Sequence, residues 1–277
     1  MAPVWTRDRQ RVYEYTPREH QRVLICLRDA MRRASIDADR VFLTGHGEGG
    51  TAAWDIALAH PDLWAGMISL SGSPSIERTV PHYEPNSRYM PMYLVMGEKD
   101  GNRAAGTLIN DYMTFNHDAM VVMYRGRGRR YFYEEMPRLF EWMRLSSHTR
   151  QDPPREIDAA TMRKGDQFFW WLELGELKPD VEMDPILWDQ AKRVRRAGIV
   201  SAKILEGNQV RVSGPSDQYR VLFRPQPGID INERILVRYG RGGRKTLEFD
   251  GTLDVMLEDA RRRADRKRPF WLEASLP

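Results

Sequence analysis

Apolar residues recur at helical spacing behind Thr16: Val23, Leu24, Leu27, Ala30, Met31 and Ala34 predict an amphipathic helix. Thr16-Pro17-Arg18-Glu19 opens it as a capping box with proline in the first turn. Ile36-Asp37-Ala38-Asp39 turns into a short apolar run, Val41–Thr44, which predicts a strand. A glycine turn follows. Then comes a helix through Ala52, Ala53, Trp54, Ile56 and Ala57 that stops near Pro61. Gly66–Leu70, Met90–Met96 and Ala119–Tyr124 predict three more strands. Leu108 and Tyr112 mark an intervening helix, and Glu134–Leu145 a last one. Strands that alternate with helices imply a parallel sheet covered on both faces, with ligands taken at the carboxyl ends of its strands. The loops "GHGEGG", "SGSPS", "GEKDGNR" and "RGRGRR" fall at that rim.

The pattern changes after the polar stretch "SHTRQDPPREID". "DQFFWWLEL", "GIVSAKILEG", "NQVRVSG", "QYRVLFRP", "RILVRYG" and "RKTLEFD" read as short strands, with turns at Gly207-Asn208 and Gly242-Gly243. A charged helix, "TLDVMLEDARRRADR", and a strand in "PFWLEASL" follow. The expected division is an α/β part over 1–148, a linker over 149–165 and a small antiparallel β-sandwich over 166–277.

Composition narrows the function classes. Charge is spread evenly, 20 Lys/Arg against 18 Asp/Glu in residues 1–150 and 23 against 21 in 151–277, so no half is a nucleic-acid arm. The arginine runs "YRGRGRRY" and "RRRADRKRPFW" are flanked by acids, as a solvated charged face is. Cys26 stands alone, which excludes an internal disulfide, and its helical context suggests burial. No apolar run has membrane-spanning length, and "MAPVWTRDRQ" does not have the form of a signal peptide. The chain therefore names no compartment.

The stretch "VFLTGHGEGG" carries the candidate chemistry. A strand, a tight turn of the form G-x-S-x-G and a helix make a nucleophile elbow, which thrusts its central residue out at the top of a sheet. Here Gly45, Gly49 and Gly50 supply clearance, His46 and Glu48 fill the intervening positions, and Gly47 stands at the centre. A phosphate-binding Gly-x-Gly-x-x-Gly reading fails on the third glycine's offset.

With "DRVFLTGHGEGGTAAWDIALAHPDLWAG", "PMYLVMGEKDGNR" and "YRGRGRRYFYEEMPRLFEWM", residues 1–148 resemble the α/β-hydrolase superfamily, in its phospholipase/carboxylesterase and prolyl-oligopeptidase-like branch. The resemblance implies the C-terminal half of a hydrolase parallel sheet with flanking helices, followed by a β-rich domain. It puts the nucleophile position at Gly47, the catalytic acid at Asp100, the histidine position at Arg129 and an oxyanion N–H at Glu48. Glycine has no atom to attack with, and arginine stays protonated, so two triad positions are unfit for catalysis. An Arg129–Asp100 ion pair is the expected replacement. The resemblance also places earlier strands upstream of Met1, so the elbow strand is expected at an open edge that invites self-association.

Other residues at the rim offer weaker chemistry. Ser71 could hydrogen-bond its own loop or serve as a hydroxyl nucleophile, Glu48 could attack as a carboxylate, and His46 could act as a base or touch a ligand. His20, His60, His82 and His148 lack metal-ligand spacing and read as surface or packing residues. No metal and no cofactor are expected. The expected ligand is a small carboxylate or ester at the elbow, with neither nucleic acid nor membrane as a partner.

Overall fold

A computed structural model describes residues 1–75, 79–101, 103–115, 117–190 and 196–277. Helix α1 (Pro17–Arg33) starts where the capping signal lies. Glu19 Oε2 accepts from the Thr16 N–H at 2.7 Å and from its hydroxyl at 2.8 Å. Strand β1 (Phe42–His46) runs into the glycine turn, and α2 (Glu48–Ala59) leaves it. Strand β2 (Gly66–Leu70), the single turn α3 (Thr79–His82), β3 (Met92–Gly97), α4 (Arg103–Thr114), β4 (Ala119–Tyr124) and α5 (Met136–Arg144) follow. The four strands form one parallel sheet in the order β1-β2-β3-β4. Parallel sheets bury both faces, which is why β2 and β3 are apolar and inaccessible along their whole lengths. β1 is an edge strand.

The remaining strands are β5 (Glu156–Thr161), β6 (Phe168–Phe169), β7 (Leu172–Leu174), β8 (Gly198–Leu205), β9 (Gln209–Ser213), β10 (Tyr219–Phe223), β11 (Ile235–Tyr239), β12 (Gly243–Leu247) and β13 (Leu272–Leu276). They make a five-stranded sheet, β12-β11-β9-β8-β5, and a four-stranded sheet, β13-β10-β7-β6. Inward residues of both share one apolar core with Trp170 and Trp171. Helix α6 (Asp254–Arg263) precedes β13.

Four details differ from the expected picture. The β-rich sheets are not wholly antiparallel, because β9 and β11 pair in parallel. "DQFFWWLEL" is not one strand: β6 folds back on β7 through Trp170, whose φ is +50°, and the turn buries both tryptophans. The stretch 149–165 is not a free tether. It contains β5, and Arg163 within it is wholly buried. Asn86, also wholly buried, shows how tightly β5 is held: its Nδ2 donates to Leu58 O at 2.8 Å and Ala160 O at 2.9 Å, and its Oδ1 accepts from Ala160 N at 2.7 Å. Arg150 adds ion pairs to Asp39 (3.1 Å) and Asp265 (2.7 Å). Polar residues signalled a linker, but Arg150 and Arg163 pair with the buried carboxylates of Asp265, Asp55 and Asp166. Cys26 is partly exposed rather than buried. Among the described residues, no helix is long and apolar enough to cross a membrane.

Candidate functional site

The glycine turn at the carboxyl end of β1 is sharp because its residues have no side chains where the backbone folds over itself. A Cβ on Gly45 would lie 1.9 Å from Gly49 O. Gly47 sits at the apex with φ 56° and ψ −120°, a conformation that strains any residue with a Cβ. Its N–H donates to Leu70 O at 2.8 Å, and its carbonyl accepts from Thr51 N at 3.0 Å to start α2. A Cβ on Gly47 itself would meet no atom within 4 Å, so the apex faces open space.

Three rim loops converge on this turn. Ser71, directly after β2, has φ +50° and is buried. Its N–H donates to Val95 O at 2.8 Å, and its Oγ donates to Asp100 Oδ2 at 2.9 Å. The same carboxylate oxygen accepts from Gly97 N at 3.0 Å, while Oδ1 is buried without a hydrogen-bond partner. The arginine loop lies over the end of β3: Lys99 N donates to Arg127 O at 2.8 Å, and Gly126 N to Glu98 Oε2 at 2.7 Å. His46 Nε2 donates to Arg130 O at 2.8 Å, and its ring stacks on Tyr131 at 4.2 Å between centroids. The loop that holds Arg129 is thereby fastened beside the apex.

Arg129 itself does not complete the expected geometry. It is exposed, and no ion pair joins it to Asp100. The carboxylate accepts from Ser71 and Gly97 instead. The ion-paired arginine of the loop is Arg127, which binds Glu134 and lies 5.0 Å over the Tyr124 ring. Glu48 points away from the apex, with Oε2 accepting from Tyr13 N at 2.9 Å. This carboxylate pins the segment before α1 and is unavailable as a nucleophile. His46 spends its Nε2 proton on the Arg130 carbonyl, and no hydrogen bond joins its ring to the Ser71 hydroxyl.

A second polar centre lies behind the sheet, where the sequence had suggested only packing. Tyr13, His20, Asp55, His60, Arg163 and Asp166 are all at most 5% exposed. Asp55 Oδ2 accepts from Tyr13 Oη at 2.7 Å, His20 Nε2 at 2.8 Å and Arg163 Nη1 at 2.8 Å. Burial alone would raise this carboxyl, but Arg163 and His20 hold it well below the usual carboxylate range. Burial pushes His60 well below the usual histidine range, helped by His20 and Arg163. Asp166 Oδ2 accepts from Tyr83 Oη at 2.8 Å and Arg163 Nε at 2.7 Å. Among the described residues, His20, His60 and Asp166 are the group whose donor atoms could converge on a metal. The one sequence signal was Asp55, a lone charge inside the apolar helix "TAAWDIALAH". A buried charge requires a partner, yet nothing in the sequence pointed to Arg163, 108 residues away.

No family model and no curated protein matches the sequence. Among solved structures, the chain is similar to esterase PE8 (16% identity, TM-score 0.38), over 46% of this chain and 59% of that one. It is similar to SOBER1 of Arabidopsis thaliana (16% identity, TM-score 0.39), over 50% and 68%. It is also similar to acyl-protein thioesterase 2 of Zea mays (17% identity, TM-score 0.36), over 46% and 64%. The chain thus spans about three fifths of the length of esterase PE8. In this chain the turn at Gly47 joins β1 to α2 at the carboxyl end of a parallel sheet in the order β1-β2-β3-β4.

Proposed function

We propose that this α/β-hydrolase-fold chain, related to serine esterases and peptidases, has lost acyl-transfer catalysis. Gly47 carries the reading: the elbow keeps its strained turn and the open space above it, but the apex has no nucleophilic atom. Arg129, which the resemblance puts at the histidine position, supports it, since a guanidinium cannot accept the proton that a nucleophile gives up. The remaining role for the turn is to bind, and the N-terminus of α2 favours a small carboxylate. Isothermal titration with acetate tests that role, and absence of heat at millimolar concentration counts against it.

Hydrolysis of nitrophenyl acetate tests the loss of catalysis. The native protein is expected to turn over no faster than buffer, and Gly47→Ser with Arg129→His to gain measurable turnover. A second reading rests on the Ser71–Asp100 hydrogen bond of 2.9 Å, which could mark a displaced nucleophile. Turnover by the native protein that disappears in Ser71→Ala would replace the first reading with this one.

A further inference from the structure

The buried centre behind the sheet holds three donor atoms in a small triangle. His20 Nδ1 lies 3.2 Å from His60 Nε2, and each lies 3.6 Å from Asp166 Oδ1. The centre of such a triangle is about 2.0 Å from every corner, the length of a zinc–nitrogen or zinc–oxygen bond.

The surroundings orient each donor. Asp55 Oδ2, 2.8 Å from His20 Nε2, orients the ring so that Nδ1 faces the triangle. Arg163 and Tyr83 occupy Asp166 Oδ2. Asp166 Oδ1, on a side chain only 1% exposed, has no hydrogen-bond partner and faces both imidazoles. A proton shared between the two histidines would satisfy them and still leave Oδ1 alone, at the cost of an unpaired buried oxygen. A cation satisfies all three atoms.

We propose that His20, His60 and Asp166 bind a divalent transition-metal cation, with zinc the best match to two imidazoles and a carboxylate. The site is independent of the elbow. It joins α1, the end of α2 and the segment after β5, so the metal acts as a cross-link between parts distant in sequence. His60 also lines a cleft of about 360 Å³ with Arg28, Asp62, Arg150, Arg263 and Asp265.

The test uses the full chain, stripped with chelator and titrated with Zn²⁺ by calorimetry and with Co²⁺ by visible absorption. The expected result is one equivalent bound, an intense four-coordinate cobalt spectrum, and a melting temperature that rises with zinc and falls back with chelator. Asp166→Asn and His60→Gln are expected to abolish binding. Asp55→Asn, which touches the metal only through His20, is expected to weaken it by ~10- to 100-fold. His82→Gln, outside the triangle, is expected to bind normally. Should the ligand variants fail to fold, the cobalt spectrum of the native chain decides. No uptake, a weak six-coordinate spectrum, or unchanged binding in folded Asp166→Asn overturns the proposal.

Discussion

The rim of the parallel sheet and the polar centre behind it make an instructive pair. At the rim the backbone holds a demanding conformation, φ 56° and ψ −120°, around a residue without a side chain. Behind the sheet the side chains carry the chemistry: two carboxylates, two imidazoles, a guanidinium and two phenols, nearly all out of contact with water. The first region has catalytic shape without a reactive atom. The second has reactive atoms without a path for a large substrate. A turn is preserved by its glycines, whereas a buried charged group is preserved by its partners, so the two regions should fail differently when mutated.

The largest expected effect is at the buried centre. Arg163→Met leaves Asp55 and Asp166 without their countercharge and should cost about 3–5 kcal/mol in urea unfolding. A loss under 1 kcal/mol would mean that the carboxylates find another cation or take up protons at little cost. Next come the glycines, which separate shape from space. Gly45→Ala drives a Cβ into the Gly49 carbonyl and should cost about 3 kcal/mol. Gly47→Ala meets no atom and bears only conformational strain, about 1 kcal/mol. Equal losses would show that the turn does not have the described geometry.

A smaller effect is expected in acid. Against the opposing effect of burial, Arg150 holds Asp265 below the usual carboxylate range, and Lys267, Arg268 and Arg150 together hold Asp39 there. The folded groups thus titrate below the unfolded ones. Their contribution is present above about pH 4 and is lost as pH falls through the lowered values. Arg150→Met should therefore flatten the acid limb of stability measured by circular dichroism, and an unchanged limb would place acid sensitivity elsewhere. Least of all, Arg129→Met should change stability by under about 0.5 kcal/mol, because the side chain is exposed and has no ion pair among the described residues.

Much of the first layer was legible from the residues. The capping box at Thr16, the apolar runs of β2 and β3 and the glycines of the turn are local signals, and each states its own geometry. The β-rich part was legible strand by strand but not in its pairing. Nothing local tells β11 to lie parallel to β9, or tells "DQFFWWLEL" to reverse at Trp170. The candidate rim was read from spacing, and its loops do gather at the carboxyl ends of the strands. The orientation of Arg129 was not readable, because it depends on where Asp100 turns. The buried centre was hidden for a similar reason: His20, His60 and Asp166 come from three separate segments, and only packing brings their atoms within 3.6 Å of one another.

Asn86 has a consequence for how the molecule can come apart. One carboxamide satisfies the last turn of α2 and both backbone groups of Ala160 in β5, so the parallel layer cannot be peeled from the β-rich layers without stranding four polar atoms at once. Heat should thus melt both in a single cooperative step, and a chain cut before residue 149 should be insoluble rather than a working half.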